Sequence, residues 1–214
     1  GVFADPIGDI IEQTGAGQIV RNDNQLILTE DFLPEIELYD TAETANGRML
    51  IEFKDKAELA LTEHTKILID EVIYDPDPSK SKMTMQFVQG TARFASGKLA
   101  IMNKKNIDIK TPTATIGIRG TDFTTTVDEI GRSLIILLPD ENGDASGEIT
   151  VTNLGGTIVL DEAYQATMVN TLDTPPSQTL TLNNITPNMI DNMFIVNPPP
   201  EVKEQIEEEA RADM

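Results

Sequence analysis

The sequence predicts an all-β fold, a roll or sandwich of many short strands, followed by two short helices near the C-terminus. Apolar and polar residues alternate with a period of two along most of residues 1–170, the pattern of strands with one buried face. Gly, Asn and Asp interrupt the alternation at intervals of about 8 to 12 residues, as turns between short strands do. The length of 214 residues is sufficient for one good core.

The alternating segments predict about a dozen strands. The first two are GQIVRND and QLILTED, with Asn22-Asp23-Asn24 as the turn between them. LPEIELYDT continues the alternation, and GRMLIEFKDKAELALTEHTKILID predicts three further strands with Lys54-Asp55-Lys56 as a hairpin turn. YDPDPSKSK is expected to be a loop, because its two Asp-Pro pairs block both helix and central strand.

Strands are expected to resume after this loop. MTMQFVQGTARFASGKLAIMN predicts strands around Gly90 and Gly97, and NIDIKTPTATIGIRGTDFTTTV continues them. RSLIILLP is apolar at nearly every position, which indicates a strand covered on both faces. ITVTN, TIVLDE and YQATMV complete the predicted fold.

Composition changes after about residue 170. Residues 1–170 are therefore predicted to form the all-β domain, and residues 171–200 an extended linker. A short helix is expected at 186–195, where Thr186 is the N-cap and Pro187 the first helical residue. Residues 201–214 are expected to form an acidic helix with a narrow apolar stripe that includes Val202 and Ile206.

Charge is distributed unevenly along this acidic chain, whose formal net charge is −20. From Lys80 to Gly120 there are eight Lys and Arg residues and a single acid, Asp108. Either basic strands lie beside acidic strands within one domain, or a basic patch docks on an acidic patch of a neighbouring copy. The second interpretation predicts self-association or contact with neighbouring assembly proteins. Its interface candidates are Lys98, Lys104, Lys105, Lys110, Val202 and Ile206.

Several function classes are disfavoured by composition. The chain has no cysteine and only one histidine, His64, which excludes thiolate chemistry and sites with several histidines. No carboxylate pair is marked for catalysis, so we expect neither an enzyme nor a cofactor. The acidic balance argues against direct nucleic-acid binding, and no apolar run reaches the ~18 residues of a membrane span.

One weak metal candidate is present. Asp140, Asn142 and Asp144 alternate as the ligands of a calcium loop do. The glycine at 143 and the absence of a glutamate at the twelfth position depart from that pattern, so a plain hairpin turn is the favoured interpretation and no metal is expected.

The segment TPTATIGIRGTDF, residues 111–123, is chemically unusual. Alternation places Ala114, Ile116 and Ile118 on one face of a strand and Arg119 on the other. Gly120 permits a bend directly after it. The guanidinium is expected to satisfy turn carbonyls or an acid at this bend; alternatively, it binds an anionic ligand or a partner's carboxylate.

This segment resembles the hallmark of the FecR-like domain family, which has the form v-T-P-x-A-x-x-x-[VI]-R-G-T-x-F. The stretch with Asp55 is similar to a second family segment, although Lys56 stands where the family usually has Gly. The resemblance covers about Ile7 to Val169, so it implies a FecR-like roll. Its motif residues here are Thr111, Pro112, Ala114, Arg119, Gly120, Thr121 and Phe123.

The resemblance implies protein contacts rather than catalysis. In founding members the domain is a periplasmic signalling segment that follows a sigma-regulating segment and a membrane helix, neither of which occurs in this sequence. Freestanding FecR-like domains also occur in envelope, surface and phage-encoded proteins. We therefore expect a structural or adaptor subunit of a virion or intracellular assembly, such as a phage tail, neck or baseplate protein. The alternative is an exported periplasmic FecR-like protein that senses or transduces a signal, and VFA at residues 2–4 would suit leader cleavage.

Overall fold

Seventeen β-strands form the part of the chain that the computed structural model describes: residues 5–73, 75–77, 80–95, 106–183 and 185, with Glu204, Glu208 and Arg211. In chain order the strands are β1 Gly8–Thr14, β2 Gly17–Arg21, β3 Asn24–Ile27, β4 Glu35–Ile36, β5 Thr41–Thr44, β6 Arg48–Phe53, β7 Glu58–Leu61, β8 Lys66–Ile73, β9 Lys82–Ala95, β10 Asn106–Lys110, β11 Thr115–Arg119, β12 Asp122–Val127, β13 Ser133–Leu137, β14 Glu148–Asn153, β15 Gly156–Leu160, β16 Gln165–Val169 and β17 Leu180–Thr181.

The strands belong to two sheets, which we call sheet A and sheet B. Sheet A has the order β4-β1-β6-β7-β9-β12-β13-β16-β17. Sheet B has the order β3-β2-β5-β8-β9-β10-β11-β14-β15. Among the described strands, every pairing is antiparallel except that of β9 with β10. The prediction of an all-β fold is confirmed.

Strand β9 is shared by the two sheets. Its first half pairs with β8 and β10 in sheet B, and its second half pairs with β7 and β12 in sheet A. The passage occurs at Gly90, whose φ is +97°. A Cβ at this position would collide with Thr65, so only glycine fits here. The sequence predicted strands around Gly90 and Gly97. The structure has a single strand, β9, that passes through Gly90 and changes sheets there, and Gly97 lies outside the described residues.

The main core lies between the two sheets. Ile19 and Ile67 of sheet B and Ile51 and Phe94 of sheet A belong to one continuous buried cluster, and all are at most 1% exposed. Each comes from the apolar positions of a period-two pattern. Full burial of such a side chain contributes about 1.5–3 kcal/mol, so this cluster supplies the main driving force for joining the sheets.

Strand β13 is buried on both faces, as RSLIILLP predicted. Ile135 and Leu137 enter the main core, whereas Leu134 and Ile136 enter a second cluster on the outer face of sheet A. Ala166, Leu180 and Leu182 belong to this second cluster. Part of the segment expected to be a linker is therefore strand β17 and packs on the domain.

An ion pair between the partly exposed Arg21 and the buried Asp40 fixes the loop between β4 and β5. The carboxylate of Asp40 is fully buried and accepts hydrogen bonds from Arg21 Nε at 2.9 Å and Nη2 at 2.8 Å. The Glu37 amide donates to the same carboxylate at 2.7 Å. The hydrogen bond to Asp40 raises the pKa of Arg21 above its ordinary value, because this contact favours the charged guanidinium.

At the two chain ends the structure departs from the sequence-based prediction. Strand β1 was not predicted; a bulge between Ile10 and Glu12 interrupts its alternation and disguises it. The helix expected at 186–195 lies outside the described residues. Within 201–214 only Glu204, Glu208 and Arg211 are described, with helical backbone and exposed side chains, so neither helix is supported as an element.

Candidate partner-binding site

The turn between β10 and β11 is built by the Thr-Pro part of the motif. The Thr111 amide donates to the Ala114 carbonyl at 2.8 Å, closing a four-residue turn with Pro112 at its second position. Thr111 Oγ1 accepts hydrogen bonds from the amides of Ala114 at 3.0 Å and Thr113 at 3.3 Å. Ser133 Oγ on β13 lies 2.7 Å from the same hydroxyl. Thr111 therefore ties the turn to the neighbouring sheet.

The Gly-Thr part of the motif carries the chain from sheet B to sheet A. Gly120 has a φ of +57°, which confirms the predicted bend. Thr121 is 1% exposed, and its hydroxyl lies 3.1 Å from Ser146 Oγ. Ser146 Oγ also lies 2.6 Å from the Leu138 carbonyl and accepts a hydrogen bond from the Asp122 amide at 2.9 Å. These contacts hold the bend against the loop after β13.

The last motif positions anchor β12 on both faces. Asp122 forms a two-pronged ion pair with Arg93 of β9, at 3.1 Å from Nε and 2.8 Å from Nη2. Phe123 points into the core, where its ring centroid lies 6.0 Å from that of Phe94. Phe123 and Phe94 also face each other directly across the β9–β12 pairing. Most of the motif therefore has a structural role.

Arg119 is the exception. The alternation placed it on the opposite face from Ile116 and Ile118, and the structure confirms this: both isoleucines are buried and Arg119 is exposed. The expectation that its guanidinium satisfies carbonyls or an acid at the bend is wrong. Within the described residues it forms no hydrogen bond or ion pair, because its side chain extends from the outer face of sheet B toward solvent.

Arg119 lies beside a groove of about 410 Å³ on the outer face of sheet B. Gly117 leaves the groove open, since it lies between Asp108 of β10 and Thr150 of β14 without a side chain of its own. Glu148 is directly opposite Arg119 in the β11–β14 pairing. We call this the Gly117 groove. It offers guanidinium donors and carboxylate acceptors to a partner side chain.

The basic stretch does not form one surface in the part of the chain that the structure describes. Arg93 is paired with Asp122, and Lys82 lies 3.5 Å from Glu71, so basic and acidic strands alternate within the sheets. Lys110 is exposed at the end of β10. The remaining interface candidates, Lys98, Lys104, Lys105, Val202 and Ile206, lie outside the described residues.

The calcium candidate forms a turn. Asp140 Oδ1 accepts hydrogen bonds from the amides of Asn142 at 2.8 Å and Asp144 at 3.0 Å, so this carboxylate oxygen stabilises the backbone of the turn. Gly143, with a φ of +83°, completes this turn. Across the described ranges, no group of three or more His, Asp or Glu residues could hold a metal ion. No helix of the described part is long and apolar enough to cross a membrane.

Comparison with known proteins agrees with the motif. Residues 40–138 match the family model of the FecR protein. Just under half of the chain therefore matches a FecR domain. The matched segment runs from the buried Asp40 to the end of β13 and includes every residue of the Thr111–Phe123 motif. No curated protein matches the chain.

A solved structure shares the fold. The crystal structure of a candidate anti-sigma factor from Parabacteroides distasonis superposes with a TM-score of 0.52 at 11% sequence identity. The match covers 72% of this chain and 63% of that protein, so this chain spans less than two thirds of its length. At this identity the likeness shows the fold alone.

The sequence did not predict that Asp108 lines the Gly117 groove. Asp108 was noted as the lone acid of a basic stretch, yet its position opposite Gly117 depends on the pairing of β10 with β11. Only the spacing across the Thr111 turn could have predicted that pairing. Glu148 and Thr150 come from β14, too distant in sequence for any local signal to place them.

Proposed function

We propose that this chain is a non-enzymatic binding domain that senses or transduces a signal through contact with a partner protein. We also propose that the protein is exported to the periplasm. The FecR domain at residues 40–138 supports it, and so does the fold shared with a candidate anti-sigma factor. A virion role has no support from either comparison.

The observation that carries the proposal is the exposure of Arg119. The other motif residues are used in the turn, the bend or the core, whereas Arg119 contributes to none of these. An exposed arginine beside an open groove is suited to a partner's carboxylate, which it can bind with two parallel hydrogen bonds. A structural explanation would require internal contacts that the described residues do not provide.

Overproduction of the chain in its native host tests this proposal. An excess of a signalling domain should occupy its partner and change the transcript levels of a small, coherent set of genes, measured by RNA sequencing. Arg119→Ala should return those transcripts to background while leaving the melting temperature within about 1–2 °C, because exposed side chains contribute little to stability. Arg132→Ala is the matched control, since it removes an exposed arginine outside the Gly117 groove.

Two results would contradict the proposal. One is an unchanged transcript profile together with co-sedimentation of the chain with virus-like particles, which would restore the virion interpretation. The other is an equal transcript response to wild type and Arg119→Ala, which would show that the groove is not the contact site.

A further inference from the structure

The two sheets differ in how their outer edges are protected. Among the described strands, the edges of sheet A are β4 and β17, each only two residues long. Sheet B ends in β3, with four residues, and in β15, with five. Short edge strands are a common protection against pairing with other chains. The β15 edge is the longest and lacks this protection.

The sequence of β15 also lacks the residues that usually block an edge. Gly156–Leu160 contains no charge and no proline, and its centre is Thr157, Ile158 and Val159, all with high strand propensity. Its pairing with β14 begins at Asn153–Gly156, on either side of a two-residue turn. In such a hairpin hydrogen-bonded pairs alternate, so the N–H and C=O groups of Thr157 and Val159 point away from β14.

The edge is held in place. At the tip of the β14–β15 hairpin, Asn153 Nδ2 donates to the carbonyls of Thr171 at 3.0 Å and Thr174 at 2.6 Å. The Leu154 amide donates to the Leu172 carbonyl at 3.1 Å. An edge that is already fixed in its strand conformation loses less entropy when another strand joins it.

The surroundings of the edge are acidic. No Lys, Arg or His occurs from Ser133 to Val202. Asp161 and Glu162 follow β15 directly and are exposed, and exposed Asp173 belongs to the loop that holds the hairpin tip. Two copies of this edge would repel each other, whereas a strand with basic ends would be attracted.

From these features we infer that the β15 edge of sheet B accepts an extended segment of a partner protein with Lys or Arg at its ends. The segment adds to sheet B as a further strand, through backbone hydrogen bonds to Thr157 and Val159. Val159 lies opposite Thr150, which lines the Gly117 groove, so the added strand continues the same outer face. The inference rests on the proposed partner-binding function and names the kind of segment bound.

A synthetic peptide of about ten residues tests this inference, with alternating Val and Thr flanked by Lys at both ends. Backbone amide hydrogen exchange is measured by NMR on the full chain. The peptide should slow exchange at Thr157 and Val159 by about tenfold or more and leave Ile158, already paired with β14, unchanged. A Glu-flanked peptide of the same pattern should bind at least about tenfold more weakly, and the difference should shrink near 1 M salt.

Two variants of the chain complete the test. Val159→Pro removes an outward N–H at an edge position that tolerates proline, and it should abolish peptide binding. Val159→Lys places a like charge beside the basic peptide and should also weaken binding, which covers the case of a proline variant that does not fold. Thr115→Lys is the control, since it adds the same charge on the same sheet face away from the edge.

Three results would overturn the inference. The first is unchanged amide exchange at Thr157 and Val159 when the peptide is added, and the second is equal affinity for the Lys- and Glu-flanked peptides. The third is slow exchange at Thr157 and Val159 without peptide that depends on protein concentration. The last would show that a second copy occupies the edge. The exchange measurement on the edge and the transcript response are independent readouts, so the edge can fail while the transcript response stands, and the reverse.

Discussion

Lys56 shows how one backbone angle determines which residue a position favours. It lies in the turn between β6 and β7, where the Ala57 amide donates to Asp55 Oδ1 at 3.1 Å. Its φ of +71° is in the left-handed region, where a side chain costs about 1–2 kcal/mol. Glycine, the usual residue of FecR-like domains after this Asp, avoids that cost.

Lys56→Gly should therefore stabilise the chain by up to about 1 kcal/mol, because part of the gain is offset by the greater freedom of glycine in the unfolded chain. The measurement is thermal unfolding, with an expected rise in Tm of about 2–4 °C. Lys56→Ala is the control, since it removes the 3.3 Å ion pair with Glu52 but keeps the Cβ. Equal Tm values for the two variants would mean that charge, not φ, limits stability here.

Arg119 marks the limit of what alternation can predict at the residue scale. Period two correctly assigned Ile116 and Arg119 to opposite faces. It could not show whether the second face meets solvent or another part of the chain, because that depends on what packs there. On β13 the second face is covered, and on β11 it is exposed.

At the scale of elements, the Thr111 turn connects local sequence to sheet packing. Thr111→Val keeps the shape of the side chain but removes the hydroxyl that binds the Ala114 amide and Ser133. Because a buried donor then loses its acceptor, unfolding free energy should fall by about 1–3 kcal/mol in a urea titration. Thr115→Val, on an exposed position of β11, should stay within about 0.5 kcal/mol of wild type. A similar loss in both variants would refute the role of the turn.

Elements with regular patterns were predictable, and irregular ones were not. The turns at Asn22-Asp23 and Lys54–Lys56 follow from punctuation, and strand β13 follows from a continuous apolar run. Strands β14 to β16 follow from alternating segments between turn residues. Strand β1 contains a bulge, which shifts its alternation by one residue. Strand β9 contains a glycine that serves as a passage between sheets, although glycine within a strand usually marks an interruption.

For the whole molecule, Gly90 is the position on which both sheets depend. Gly90→Ala should cost well over 3 kcal/mol or prevent folding, since the new methyl group collides with Thr65 where β9 changes sheets. Loss of soluble protein or a large drop in Tm is the expected measurement. Gly143→Ala is the control that tests the cost of a positive φ without a steric collision. Its φ is +83°, but a Cβ there meets nothing within 4 Å. It should cost only about 1 kcal/mol, and comparable losses in the two variants would contradict the collision.

The pairing of distant strands explains why the overall arrangement was not predictable. The FecR match at 40–138 contains β5 to β13, yet β6 pairs with β1 and β11 pairs with β14, both outside it. Such pairings depend on complementary burial across the fold and leave no local pattern. The same holds for the Gly117 groove, whose walls come from three strands.

The sharing of β9 has a consequence for synthesis on the ribosome. When Ala95 has emerged, β1 to β8 can already pair with one another and with β9. The other side of β9 then has no partner until β10 and β12 are translated. During that interval the nascent chain presents a long, apolar strand edge, so a pause in translation after residue 95 should expose it to aggregation or to chaperone capture.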